Sequence, residues 1–206
     1  SHNYKCITRR RETGGTMSLL REYIRELLTE NKLSGHTIEG ILDLLEGYAD
    51  NTWVFFDTET TGMHPASAQL TEIGAIAVDP NAWQSDATML DQFNEKIKLT
   101  DETERLLNDP ESDERQAWEK GNQSARNPLK DPQAILSMTR YGEQGRTYSD
   151  EQEVLDQFFE WAAGFSNPLF IAQNASFDLK FLSVRSGGKL PKYPVLDTMQ
   201  LMQYYL

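Results

Sequence analysis

The stretch VFFDTETTG, residues 54–62, runs an apolar segment straight into two carboxylates two positions apart, Asp57 and Glu59, and closes with threonines and a glycine. Side chains two apart on a strand share a face, so an extended 55–59 stands Asp57 beside Glu59 and turns Thr58 the other way. Adjacent carboxylates repel. The pair is stable when one acid stays protonated or when a cation sits between them, and hard oxygen ligands favour Mg²⁺ or Mn²⁺ over zinc. A D-x-E tripeptide is short and common, so strand-end acids that simply face solvent are the alternative its surroundings must decide against.

Working outward, residues 53–58, 70–79 and about 91–99 read as three successive strands with short connections, which predicts an antiparallel meander. A buried strand is expected at PLFIAQ (168–173), then a helix from about Ala175 that stops at Gly187 and Gly188, a short strand near 194–196 and the opening of a last helix. Ser149 with Gln152 reads as a capping box for an amphipathic helix marked by Val154, Leu155, Phe158, Phe159 and Ala162. Strands first and alternating helices and strands afterwards place the chain in the mixed α/β class around one sheet.

Upstream, Leu19, Leu20, Tyr23, Ile24, Leu27 and Leu28 recur at helical spacing, and after Ser34-Gly35 so do Ile38, Ile41, Leu42, Leu45 and Tyr48. This predicts a helical hairpin over 17–50 that covers one face of the following domain, the alternative being a docking surface for a polymerase or a replication or repair protein. Residues 1–16, with the triplet Arg9, Arg10, Arg11, read as a disordered tail or expression remnant. The polar stretch from about 100 to 148, rich in acids and prolines, reads as an irregular or partly helical insertion. The domain proper is therefore expected over 51–206.

Composition limits the function. The 206 residues carry 20 basic and 32 acidic side chains, a net charge of -12 that argues against a general nucleic-acid coat protein but not against a metal-filled site acting on nucleic acid. Cys6 is the single cysteine, so no internal disulfide can form. No apolar run is long enough to span a bilayer and none at the start resembles a secretory signal, so the expectation is a cytoplasmic protein without a membrane partner.

DTETTG after an apolar strand, followed by the strand TEIGAIAVD, resembles the first motif of the DnaQ-like (DEDD) 3′–5′ exonuclease superfamily, and NASFD at 174–178 resembles its second motif. The resemblance covers about Trp53 to Leu206, with the insertion between residues 100 and 148 left unaligned. It implies a ribonuclease H-like fold and a metal-dependent exonuclease that releases nucleoside monophosphates from single-stranded or frayed DNA 3′ ends. By resemblance Asp57, Glu59 and Asp178 would hold two divalent ions, Mg²⁺ or Mn²⁺, with Asp178 in the first turn of its helix, where the dipole favours an anion. Met63 would lie against the terminal base or merely pack. Thr60 would offer its N–H to the terminal nucleotide, and Asn174 would contact the substrate backbone or serve only as a helix cap. Lys180, Arg185, Lys189 and Lys192 would guide a strand or form a solvated face, and Tyr141 and Tyr148 would stack on bases or pack.

The family's third motif, a fourth carboxylate with a His or Tyr just before it, is not visible up to Leu206. The expectation is a C-terminally incomplete exonuclease domain, in which Asp197 does not substitute as a ligand and His64 is an exposed loop residue. Two other readings stay open: an exoribonuclease of the same superfamily, and a non-catalytic nuclease-fold module that binds a 3′ end or a protein.

Overall fold

The computed structural model describes residues 35–82, 89–109, 111, 116 and 148–205. The aromatic and β-branched run WVFF suits a pleated strand, and β1 (Trp53–Thr60) forms the centre of a five-stranded sheet. It pairs antiparallel with β2 (Leu70–Val78), which pairs antiparallel with β3 (Met89–Lys96). On its other side β1 runs parallel to β4 (Leu169–Ala172), which runs parallel to β5 (Val195–Asp197). The order β3-β2-β1-β4-β5, a meander continued by parallel strands, is the ribonuclease H-like arrangement expected from the sequence.

Alternation sorts the side chains between two faces. Val54 and Phe56 of β1, with Ile73, Ala75 and Ala77 of β2, enter the main core. There they meet α3 (Glu151–Ala163), whose Val154, Leu155, Phe158 and Ala162 form one buried stripe, and α4 (Ala175–Arg185), which contributes Ala175, Phe181 and Leu182. Phe158 has its ring 5.4 Å from Phe93, 5.9 Å from Phe170 and 6.3 Å from Phe56, in the tilted geometries aromatic pairs prefer. All four residues of β4 are buried, as a parallel strand covered on both faces requires. Its Leu169 and Ile171 face away from the main core and pack with Trp53 against Leu45 and Tyr48.

Leu45 belongs to α1 (Gly35–Glu46), the second helix of the expected hairpin, and the chain turns at Tyr48 towards β1. The expected first helix, and Tyr141, lie outside the described residues. Within the expected insertion, α2 (Asp101–Asn108) is capped by the Thr100 hydroxyl and buries Leu107.

Details differ from the sequence reading at Ser149, at Arg185 and at β3, which runs over Met89–Lys96 instead of 91–99. The expected capping box at Ser149 does not form: α3 begins at Glu151 with Asp150 at its N-cap position and no side-chain cap bond. Ser149 is instead in a bridge with Ile97, and its carbonyl accepts from the Lys98 N–H at 2.9 Å, which keeps it extended. Arg185 is not available to guide a strand. Its guanidinium pairs with Glu151, whose Oε1 also accepts from the Leu70 N–H, so this half-buried pair ties the ends of α3 and α4 to the start of β2. At the end of α4, Gly187 and Gly188 take φ of +67° and +84°, left-handed values open to glycine, and the Gly188 N–H closes onto the Ser183 carbonyl.

Candidate active site

The acid face of β1 is the one turned away from the main core. Asp57 stands opposite Gly74 of β2, and Glu59 opposite Glu72, with a register shift after Glu59 that ends the regular ladder. Gly74 in turn faces Asn94, and Glu72 faces Lys96, whose ammonium lies 3.8 Å from the Glu72 carboxylate. A Cβ at Gly74 would meet no atom within 4 Å, so the glycine leaves room beside Asp57. Phe55, Asp57, Gly74, Ile76, Gln92 and Asn94 line an open cavity of about 370 Å³ here. Asp57 is exposed and Glu59 half-buried.

Asp178 reaches the same strand from behind. Its helix starts just after β4 ends at Ala172, and the parallel ladder between β1 and β4 extends no further than Phe55 with Ile171. In the crevice beyond β4 the Asp178 Oδ1 accepts from the Thr58 N–H at 3.0 Å and the Thr58 hydroxyl at 2.6 Å. The side chain is 2% exposed. Burial pushes its carboxyl above the usual range, the Thr58 hydroxyl draws it back, and the nearby charge of Asp57 pushes it up again. The charge of Asp57 thus bears on Asp178, whereas Glu59 stands opposite Glu72. Among the described residues no three His, Cys, Asp or Glu side chains gather into a metal-holding cluster. The donors are all hard oxygens, and a buried carboxylate beside a second one is what a divalent cation relieves, so the residues fit Mg²⁺ or Mn²⁺ and not a soft metal.

Asn174 precedes α4 in the left-handed conformation, φ +57°, and makes no side-chain cap bond; its Oδ1 accepts from the Ser176 hydroxyl. What fixes this turn is Asp197. Its Oδ1 accepts from the N–H groups of Asn174 at 3.0 Å, Met199 at 2.9 Å and Gln200 at 3.4 Å, joining the NASFD turn to the start of α5 (Thr198–Tyr205). The carboxylate is a cap and a tether. Asp197→Ala is expected to cost about 1–2 kcal/mol, the value of losing a helix cap, read as a lower urea midpoint, with Asp197→Asn closer to the wild type because it keeps an acceptor oxygen.

The loop after β1 is closed by Thr61 and Gln69. The Thr61 N–H donates to the Gln69 carbonyl at 2.9 Å, and the Gln69 N–H donates to the Thr61 hydroxyl at 3.0 Å. The buried Gln69 amide then grips the backbone of Lys98 and Thr100. The Thr60 hydroxyl donates to the Gly62 carbonyl, Met63 is 37% exposed and does not enter the core, and His64 is exposed as expected. Lys180, Lys189 and Lys192 are exposed; Lys189 lies 3.6 Å from Asp156. Tyr148 encloses its hydroxyl within the protein instead of presenting it. Sequence reading did not find Thr58, Gln69 or the tether at Asp197. A buried polar residue in an apolar strand row is a signal for the first, but the partner it implies is not written locally.

The exonuclease family model RNase T matches residues 54–117, which includes Asp57 and Glu59. The DNA polymerase III PolC-type of Clostridium perfringens is 28% identical over 75% of this chain, and that of Staphylococcus haemolyticus 29% identical over 73%. The chain is thus similar to exonucleases over the span that holds both acids of its first motif. It spans about 8% of the length of these PolC-type relatives. Among solved structures, E. coli exonuclease I in complex with a dA16 oligonucleotide is similar at a TM-score of 0.45 and 15% identity, over 75% of this chain and 29% of that one. No helix of the described residues is long and apolar enough to cross a membrane.

Proposed function

We propose that the chain is a metal-dependent 3′–5′ exonuclease acting on single-stranded or frayed DNA, with Asp57, Glu59 and Asp178 as the ligands of Mg²⁺ or Mn²⁺. The observation that carries this is the buried carboxylate of Asp178, held by Thr58, the residue between Asp57 and Glu59, in the crevice where parallel β1 and β4 part. Crevices at the carboxyl ends of parallel strands are where open α/β sheets bind ligands. Two acids brought together at a loss in the free protein are arranged for a cation. Divalent ions at such a site supply a nucleophilic water and stabilise the leaving oxygen.

The chain's own residues do the positioning. Asp57 and Glu59, i and i+2 on β1, present their oxygens on one side, and Asp178 presents its own from the first turn of α4. Met63, exposed in the loop after β1, would lie against the terminal base; apolar and aromatic contacts of this kind tolerate any sequence. Thr60 and Asn174 flank the acids in the two motif turns and would contact the terminal nucleotide and the backbone. DNA rather than RNA is favoured by the DNA polymerases among the relatives, and the role that fits them is proofreading.

The test is incubation of the chain with a 5′-labelled single-stranded DNA oligonucleotide and Mg²⁺ or Mn²⁺, beside an EDTA control and a matched RNA. A ladder shortening from the 3′ end, absent with EDTA and slower on RNA, is expected. A folded protein that leaves the DNA intact would overturn the reading, and faster loss of the RNA would reassign the substrate.

A further inference from the structure

The row of β1 that enters the main core reads Val54, Phe56, Thr58, and all three are buried. A hydroxyl in such a row is costly unless it is bonded. Thr58 gives its hydroxyl to Asp178 Oδ1 at 2.6 Å, within the short range of bonds to an ionised acceptor. Its N–H donates to the same oxygen at 3.0 Å. That N–H points to the side of β1 that faces β4, beyond the last paired residue Phe55, so the carboxylate occupies the place a strand carbonyl would otherwise fill. Two donors from one residue on one oxygen stop rotation of the carboxylate, and Oδ2 carries neither of these bonds.

We propose that Thr58, the middle residue of the acid motif, is a positioning residue that holds the Asp178 carboxylate through Oδ1 and presents Oδ2 to the cation shared with Asp57. The inference rests on the exonuclease reading above and assigns Thr58 a role in it that the orientation of the strand alone does not suggest. Thr58 does not touch the substrate. It couples the two motifs across 120 residues of sequence, so that α4 brings its acid to a fixed point relative to Asp57.

Thr58→Val and Thr58→Ser separate the hydroxyl from the shape of the side chain. Valine is nearly isosteric, suits a strand and keeps the N–H bond; serine keeps the hydroxyl. The measurements are Mn²⁺ binding by titration calorimetry without DNA, kcat and KM on single-stranded DNA, and thermal unfolding in EDTA. Outer-sphere partners of metal ligands are typically worth 10–100-fold in metal affinity or activity. Thr58→Val is expected to weaken Mn²⁺ binding about tenfold and lower kcat by at least about tenfold, with KM for DNA nearly unchanged, while Thr58→Ser stays close to the wild type. If Thr58→Val is not folded at the assay temperature, Thr58→Cys replaces it, since a thiol is a weak donor of similar size, and the same losses are expected. Wild-type Mn²⁺ affinity and kcat in Thr58→Val would overturn the proposal, and so would equal losses in Thr58→Ser, which would assign the effect to packing. A wild-type chain that neither binds Mn²⁺ nor cleaves DNA would sink the exonuclease reading itself, and the role of Thr58 with it; a wild type that does both leaves Thr58 to be judged by its variants.

Discussion

Asp57→Ala is expected to lower cleavage of single-stranded DNA by about a thousandfold while the protein remains folded. The magnitude follows from the charge stabilisation a bound ion supplies, several kcal/mol in the transition state, with each 1.36 kcal/mol equal to about tenfold in rate. The fold survives because Asp57 is exposed, sits opposite a glycine and contributes nothing to the core. Removing its charge also relieves Asp178, which Asp57 pushes towards protonation. Unfolding in EDTA should therefore show a variant no less stable than the wild type, and the loss of rate cannot be ascribed to misfolding. Asp57→Asn should behave alike, since the amide keeps size and loses charge. Cleavage by either variant within tenfold of wild type would remove Asp57 from the metal site. A loss confined to DNA affinity would point instead to a module that binds 3′ ends without cutting them.

The opening stretch made the placement of Asp57 legible because strand geometry alone sets i and i+2 on one face, and β1 is extended through Thr60. The same rule that turned Thr58 away from the acids concealed its part: its partner is 120 residues distant, and no periodicity encodes a contact of that length. The meander and the parallel strands were readable from runs of β-branched and aromatic residues bounded by turns. β3 was misplaced by two residues, Met89 and Leu90 lying before the expected start, because on an exposed edge strand apolar and polar positions do not alternate with burial. The capping box at Ser149 failed for a related reason. The Ser-x-x-Gln pattern is local, and the backbone of Ser149 was already committed to Ile97 and Lys98, so the helix could begin only at Glu151. Local signals held where nothing distant competed, as at Gly187 and Gly188.

Asp178→Asn is expected to act in opposite directions with and without metal. Without it, the wild type buries a carboxylate whose charged form is disfavoured by burial and by Asp57 and favoured by the two bonds from Thr58, with a net push upward from 3.8. A carboxyl raised in the folded protein binds its proton more readily there than in the unfolded chain. The stability it contributes is thus fully present below pH 3.8 and lost as pH rises through the higher folded value. Above that value the wild type carries the penalty of a buried charge, and asparagine escapes it while its amide oxygen still accepts from Thr58. In EDTA at pH 7 the variant should melt at a higher temperature than the wild type. The gap should narrow as pH falls through the folded value of Asp178 towards 3.8. Saturating Mg²⁺ or Mn²⁺ reverses the order, because an ion that binds only the folded wild type adds about 2.7 kcal/mol at a hundredfold excess over its Kd. The variant, lacking the charge, should gain little and cleave about a thousandfold more slowly. A lower melting temperature for Asp178→Asn in EDTA would show that the Thr58 bonds outweigh burial and that the carboxylate stabilises the fold by itself. The inversion with metal, by contrast, requires a buried acid that the fold tolerates only for the cation it is built to hold.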